Sequence, residues 1–391
     1  MKAAFWISLF IVFYTFLGYG IVLFVLVRLR RLVKGKRAMP VPGSYTPGVA
    51  VIIAAYNEAD VIEQKIRNTL ALQYPQDKLE IIIVTDGSDD DTPAIVARYP
   101  AIRLLHEPAR NGKIMAVHRA VRVATAEILV FTDANTFLNS DALLYICRHY
   151  SDPKIGAVAG EKKVQAGKLA DATAGEGFYW KYENTLKRWD AELYSVVGAA
   201  GELFSIRAGL YQPVPADTIL DDFMISLEVA ARGYRIVYEP LACAVEYGSE
   251  SIPEELKRKV RIAAGGIQSI LRLKRIMNPF SNPVLAFEYI SHRVLRWTIT
   301  PFLLLVVFIL NGLIAFRERE LFYTGLFVLQ CLFYGMALTG WLLEKKQLKV
   351  KLLFIPYYFC MMNYAVMAGI WRFIRKRQGA AWEKSKRKQY L

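Results

Sequence analysis

Ile81-Ile82-Ile83-Val84-Thr85-Asp86-Gly87-Ser88 and Ile128-Leu129-Val130-Phe131-Thr132-Asp133-Ala134-Asn135 share one pattern. Each is a short apolar, largely β-branched run that ends on an acidic residue. Such a run reads as a strand buried on both faces in a parallel sheet, with its carboxylate delivered to the C-terminal edge. Open α/β sheets bind ligands at that edge. Two acidic edges converging on one crevice point to a nucleotide site.

Outward from this pair, strands and helices alternate. Strands are expected at 49–55, 81–85, 102–106 and 128–132, with helices at 59–72, 92–99, 112–124 and 140–149. Further strands are expected at 155–164, at 196–207 through Gly198-Ala199-Ala200-Gly201, and at 234–238, with a helix after Asp221-Asp222. This βαβα order predicts an α/β fold: a Rossmann-like, mostly parallel sheet with helices on both faces. No G-x-G-x-x-G or P-loop is present, so dinucleotide and ATP-type phosphate cradles lack support. The histidines, His106, His118, His149 and His292, form no cluster in sequence. Cys147, Cys243, Cys331 and Cys360 show neither metal spacing nor a redox pair.

The chain has 391 residues, is 54% hydrophobic and has a mean hydropathy of +0.24, which calls for membrane segments. Residues 3–27 carry no charge and are long enough to cross a bilayer, at about 1.5 Å per residue against about 30 Å of hydrocarbon. They read as a retained anchor rather than a cleaved leader. Further apolar stretches lie at 299–316, 321–343 and 352–374. The net charge of +15 falls mostly beside these segments, in Arg28, Arg30, Arg31, Lys34, Lys36 and Arg37 and in the tail from Arg372 onward. That is a positive-inside pattern reinforced by anionic headgroups. It excludes a nucleic-acid footprint, which would sit on the face of a folded domain.

The same rule places the central domain in the cytoplasm, with a multi-pass topology in a plasma or inner membrane. It also creates a conflict, because Lys345–Lys351 and the basic tail want the same side although one apolar stretch separates them. Pro356 and Gly369 allow a re-entrant turn there. The expected organisation is a transmembrane anchor at 1–27, a basic linker at 28–48, a soluble domain at 49–280, an amphipathic helix at 281–297, membrane segments at 298–375 and a basic tail at 376–391. The 281–297 helix either lies in the membrane interface or packs on the domain.

In order, Ala54-Ala55-Tyr56-Asn57-Glu58, Thr85-Asp86-Gly87-Ser88, Asn111-Gly112-Lys113, Asp133-Ala134-Asn135 and Asp221-Asp222 resemble the signature of glycosyltransferase family 2. The anchors are similar to its membrane-bound branch of cellulose, hyaluronan and poly-N-acetylglucosamine synthases. The resemblance spans 49 to about 266 and implies a GT-A type domain. It also implies an enzyme that moves a sugar from a nucleotide sugar, a UDP-sugar, to a saccharide or a lipid-linked acceptor. Partner subunits are not readable from the sequence.

The resemblance gives each residue a role. Tyr56, Glu58 and Asp86 would line the nucleotide pocket, and Lys113 would meet phosphate. Asp133, with Asn135, would hold Mg²⁺ or Mn²⁺, whose preference is for carboxylate and phosphate oxygens. The family usually has Asp-x-Asp there, so Asn135 lowers the site's charge. Asp222, beside Asp221, would be the base. Taken alone, Asp133 could be a turn residue, Lys113 a surface lysine, and Asp221-Asp222 helix-start acids favoured by the dipole. Where the family carries Gln-x-x-Arg-Trp, this chain has Arg258-Lys259-Val260-Arg261-Ile262. Arg261 is kept for the diphosphate. The acceptor-holding Trp is replaced by Ile262, which puts processive polymerisation in doubt.

Overall fold

The computed structural model describes residues 1–165, 173–247, 251–346, 348, 350–376 and 379, so Lys349 and the tail from 380 onward lie outside the described residues. The strands are β1 (Val49–Ala55), β2 (Leu79–Asp86), β3 (Arg103–Glu107), β4 (Ile128–Asp133), β5 (Phe137–Leu138), β6 (Ile155–Gln165), β7 (Phe204–Arg207) and β8 (Arg235–Tyr247). They form one sheet in the order β3-β2-β1-β4-β7-β6-β8-β5. β3, β2, β1 and β4 are mutually parallel, while β7 runs antiparallel to both β4 and β6. The sheet is therefore mixed, with the expected parallel half carrying the acidic edges. Alternate residues of β1 feed different layers: Ala50 and Ile52 join one core, and Val49, Val51 and Ile53 the other. That double burial is what the unbroken apolar runs encode.

Two expected strands come out differently. The 196–207 stretch is a strand only over Phe204–Arg207. Gly198 adopts φ +98°, and a Cβ there would lie 2.2 Å from the Phe223 ring, so the chain turns where strand geometry was expected. The 234–238 strand instead runs on to Tyr247. Its register against β6 shifts between Gly160/Glu239 and Glu161/Cys243, which loops out Pro240 and spares the ladder a residue without an amide.

Among the described residues four helices are long and apolar enough to cross a membrane: Lys2–Lys34, Thr300–Glu318, Leu321–Lys345 and Leu352–Ile374. At the end away from the central domain, Lys2 is ion-paired with Glu318 at 2.5 Å and with Glu320 at 2.7 Å. At the other end Thr15 meets Thr300 at 3.0 Å and Tyr14 meets Ser291 at 2.8 Å. A buried polar junction then ties anchor to domain. The Tyr19 hydroxyl donates to Asp190, which also meets His292 Nδ1 at 2.6 Å. Glu183, two turns before Asp190 on helix Thr173–Leu193, accepts from Arg293 at 2.7 Å and Arg296 at 3.0 Å. Glu288, His292 and Arg293 of the 281–297 stretch are thus buried against the domain.

The last helix, Lys351–Ile374, is unbroken although it contains Pro356, so no re-entrant turn forms. Its first turns pack on Gly340, near the end of the preceding helix. Its last turns pack on helix Ile252–Arg272 of the central domain. A Cβ on Gly369 would come 2.6 Å from Ala263 Cβ and 2.7 Å from the Val260 carbonyl oxygen, so this glycine permits the close contact. The helix therefore runs from the preceding apolar helix onto the central domain, and Pro356 sits inside it at the cost of one intrahelical bond to the Leu352 carbonyl.

This packing makes a labelling prediction. In a chain stripped of Cys147, Cys243, Cys331 and Cys360, an impermeant thiol reagent outside intact cells should modify Glu318→Cys and spare Arg375→Cys. Modification of Arg375→Cys would mean that the last helix crosses the bilayer.

Candidate active site

Parallel register brings the acidic edges together. Ala54 of β1 lies beside Asp133 of β4, and Ala55 lies beside Thr85, one residue before Asp86. The crevice opens where the chain reverses its winding, between β1 and β4.

On the β2 side, Asp86 is buried and fully engaged. One carboxylate oxygen accepts from the Asn111 and Gly112 amides at 2.9 and 2.6 Å, and the other from Arg119 at 2.7 Å. Gly87, at φ +69°, lets Arg110 close over the turn; a Cβ would sit 2.5 Å from the Arg110 Cβ. The Arg110 guanidinium lies 3.8 Å from the Tyr56 ring centroid. Asn57, itself left-handed at φ 53°, is laced to the β2 loop by Asp89 at 2.6 Å. Glu58 is buried, with its amide bonded to Thr92. Tyr56, Glu58 and Asp86 thus stand at the mouth of β1 and β2, where a nucleoside would enter.

On the β4 side, Lys113 opens helix Lys113–Val123 and its ammonium sits 2.7 Å from Asp133 and 3.8 Å from Asp221. Burial alone would lower the Lys113 pKa, but Asp133, Asp221 and Asp222 outweigh it and hold the ammonium well above its usual value. A surface lysine would show none of this. Gly201 lies across the gap, where a Cβ would be 3.2 Å from Asp222 Oδ2 and 3.5 Å from Lys113 Nζ. Asp221 and Asp222 begin helix Asp221–Ala231, as their acidic character favours. Burial, then repulsion from Asp221, lifts the Asp222 carboxyl to about 7, although Lys113 pulls the other way. A carboxyl poised there at neutral pH suits proton abstraction.

Among the described residues no group of three or more His, Cys, Asp and Glu side chains could enclose a metal. The donors are nonetheless of the right kind. Asp133 offers hard oxygen, Asn135 lies buried two residues on, and the Lys113 ammonium shows that a cation is favoured against Asp133. A divalent ion held by one carboxylate and completed by substrate phosphate oxygens fits this set.

Sequence reading passed over Lys65. It is fully buried under the Asp133 turn, donating to Thr132 Oγ1 at 3.0 Å and to the Thr136 carbonyl at 2.7 Å. Burial lowers its pKa to about 7, against the opposing pull of Asp133. The signal was present in the pattern, since Lys65 shares the apolar face of Ile62, Ile66 and Thr69. Beyond Asp222 lies a second cavity of about 160 Å³. Glu202, Arg258, Lys259, Ile262, Trp297 and Met362 are among its walls. Burial would raise the Glu202 carboxyl, but Lys162 holds it well below the usual range. Arg258 is clamped to Glu255 by two bonds of 2.9 Å. Arg261 is on the same helix but outside the residues that line this cavity.

Residues 50–213 match the model for glycosyl transferase family 2. The chain is similar to the poly-beta-1,6-N-acetyl-D-glucosamine synthase of Staphylococcus aureus strain MSSA476, at 30% identity over 232 residues. That match covers 58% of this chain and 56% of the relative. The Staphylococcus epidermidis synthase is 26% identical over the same share of each chain. The chain thus spans little more than half the length of these curated relatives. Among solved structures, the mannosyltransferase PcManGT from Pyrobaculum calidifontis, in complex with GDP-Man and Mn²⁺, superposes with a TM-score of 0.72 at 25% identity. It covers 96% of this chain and 100% of its own, so the GT-A architecture and the helices flanking it are shared.

The donor set predicts how metal affinity responds to charge. Asp133→Ala should abolish Mn²⁺ binding in a titration with UDP present. Asn135→Asp should tighten it by about tenfold, the scale on which changes around a metal act. Unchanged affinity in both variants would place the ion elsewhere.

Proposed function

We propose that this chain is a membrane-bound, metal-assisted inverting glycosyltransferase of family 2. It would move a sugar from a UDP-sugar to a hydroxyl acceptor during synthesis of a cell-surface or extracellular polysaccharide. Its catalytic domain would face the cytoplasm, where nucleotide sugars are made. The carrying observation is the shared ammonium: Lys113 spans Asp133 and Asp221, with Asp222 across Gly201. That arrangement supports a donor diphosphate and an acceptor base on either side of one gap.

Asp133, with Asn135, would hold the divalent ion, which when bound neutralises charge on the departing diphosphate. Tyr56, Glu58 and Asp86 would seat the nucleoside. Lys113 would turn from Asp133 to phosphate as the donor arrives, a charge-assisted contact for a leaving group that gains negative charge. Arg261 would add a second cation there, a role that rests on its match to the family's arginine. Asp222 would take the acceptor's proton as its oxygen attacks the anomeric carbon from the face opposite the diphosphate. The bond to the diphosphate breaks as the new glycosidic bond forms, so configuration inverts. The carboxylates of this gap would all have other work, Asp133 at the ion, Asp221 as orienter and Asp222 as base, which supports inversion over a covalent sugar intermediate. The names of the relatives favour an N-acetylglucosamine donor and a polymer. A single transfer to a lipid-linked acceptor is the alternative, favoured by Met362, Ala365 and Val366 of the last helix, which line the cavity beyond the base.

The test is transfer by the purified full chain from a panel of UDP- and GDP-sugars, read by product size. Because the acting base must be deprotonated and its carboxyl lies near 7, the rate should rise with pH through about 7 and then level off. Asp222→Asn should lose about a hundredfold or more in turnover while keeping UDP affinity, since the base acts on the acceptor. Near-native turnover in that variant would remove Asp222 from the role.

A further inference from the structure

The position that carries the family's acceptor-holding tryptophan is Ile262 here, yet the cavity beyond Asp222 is not without an indole. Trp297 reaches it from another element, at the end of the 283–297 helical run just before the membrane helix Thr300–Glu318. Gly266, one helical turn after Ile262, makes room for it: a Cβ there would lie 2.4 Å from Trp297 Cε3. The ring is half-buried, with its inner side against Gly266 and Phe223, whose centroid is 5.3 Å away. The Arg293 guanidinium lies 5.6 Å from its centroid.

We propose that Trp297 is the acceptor platform of this enzyme, a stacking face for one pyranose ring brought in from a second helix where helix Ile252–Arg272 no longer supplies it. The rest of the cavity suits a saccharide. Its walls intersperse Glu183, Glu202, Lys187, Arg258, Lys259 and Arg293 around the indole, which gives hydroxyl groups both donors and acceptors. The charges nearly cancel, because Glu183 engages Arg293 and Glu255 engages Arg258, so the lining does not single out a phosphate head group. At about 160 Å³ the space is on the scale of one sugar ring, with Asp222 among its walls. An aromatic near the bilayer edge could serve as an interfacial anchor instead. This one lines the same cavity as Asp222, which an anchor has no reason to do.

The proposal rests on the glycosyltransferase reading, and the experiment separates the two. The full chain in nanodiscs is titrated with a β-1,6-linked N-acetylglucosamine trisaccharide, a mannose trisaccharide and, separately, UDP. The native chain, Trp297→Phe and Trp297→Leu are compared. Leucine keeps apolar bulk without a π-face, and phenylalanine keeps the face. Trp297→Leu should bind the preferred trisaccharide about tenfold more weakly, the loss expected of one stacking surface, with UDP affinity unchanged. Trp297→Phe should recover most of it. Equal trisaccharide affinity in all three chains would overturn the proposal. So would a joint loss of trisaccharide and UDP affinity in both variants, which would make Trp297 a packing residue. A native chain that binds neither trisaccharide and forms only lipid-extractable product would overturn it in favour of a lipid acceptor. A native chain that consumes no nucleotide sugar at all would instead overturn the reading beneath it.

Discussion

One ammonium group sets the electrostatics of the cleft. Asp133, Asp221 and Asp222 come from different strands and helices and meet in a space with little water, where like charges repel strongly. Lys113 lets them coexist. Without it, the cost of gathering three carboxylates would fall on the β4 edge and on the start of helix Asp221–Ala231 together. Even with it, the balance is uneven. Asp133 has the close contact and Asp221 the longer one, while Asp222 is left protonated up to near neutral pH. Burial and the neighbouring Asp221 are what lift the Asp222 carboxyl.

The rest of the molecule arranges that gap relative to a membrane. The buried junction of Tyr19, Asp190, His292 and Glu183 fixes the anchor to the domain. Helix Ile252–Arg272 lies between the cleft and the last helix, with Gly265 against Ile219 and Leu220 beside the catalytic acids and Gly369 pressed on Ala263. Beside that helix, the cleft and the last apolar helix meet in one cavity, which Asp222, Met362, Ala365 and Val366 all line.

The sequence was legible where local pattern and burial agree. The runs ending in Asp86 and Asp133 became adjacent parallel strands because a strand buried on both faces has no polar positions to blur it. Lys113 and Asp222 were found through family resemblance, and the geometry gives them company that their local sequence does not. Other features were hidden because they depend on approach between distant segments. The 196–207 run looks like a strand, but Gly198 turns it against Phe223. Lys65 looks like a helix-surface lysine until Thr132 and Thr136 surround it. Trp297 looks like a bilayer-edge aromatic, and its meeting with Gly266 is written in neither segment alone. The break suspected at Pro356 and Gly369 did not form, since a proline in the early turns is tolerated and the glycine serves contact instead.

The polar junction at Tyr19 also decides what can be cut away. Asp190 and Glu183 are wholly enclosed, and their neighbours come from the anchor and from the segment leading into the next membrane helix. A fragment trimmed to the soluble strands and helices would open that enclosure and leave two desolvated acids short of partners, a state that costs more than an exposed charge. Through Tyr19 the first anchor is therefore part of the central domain's own interior.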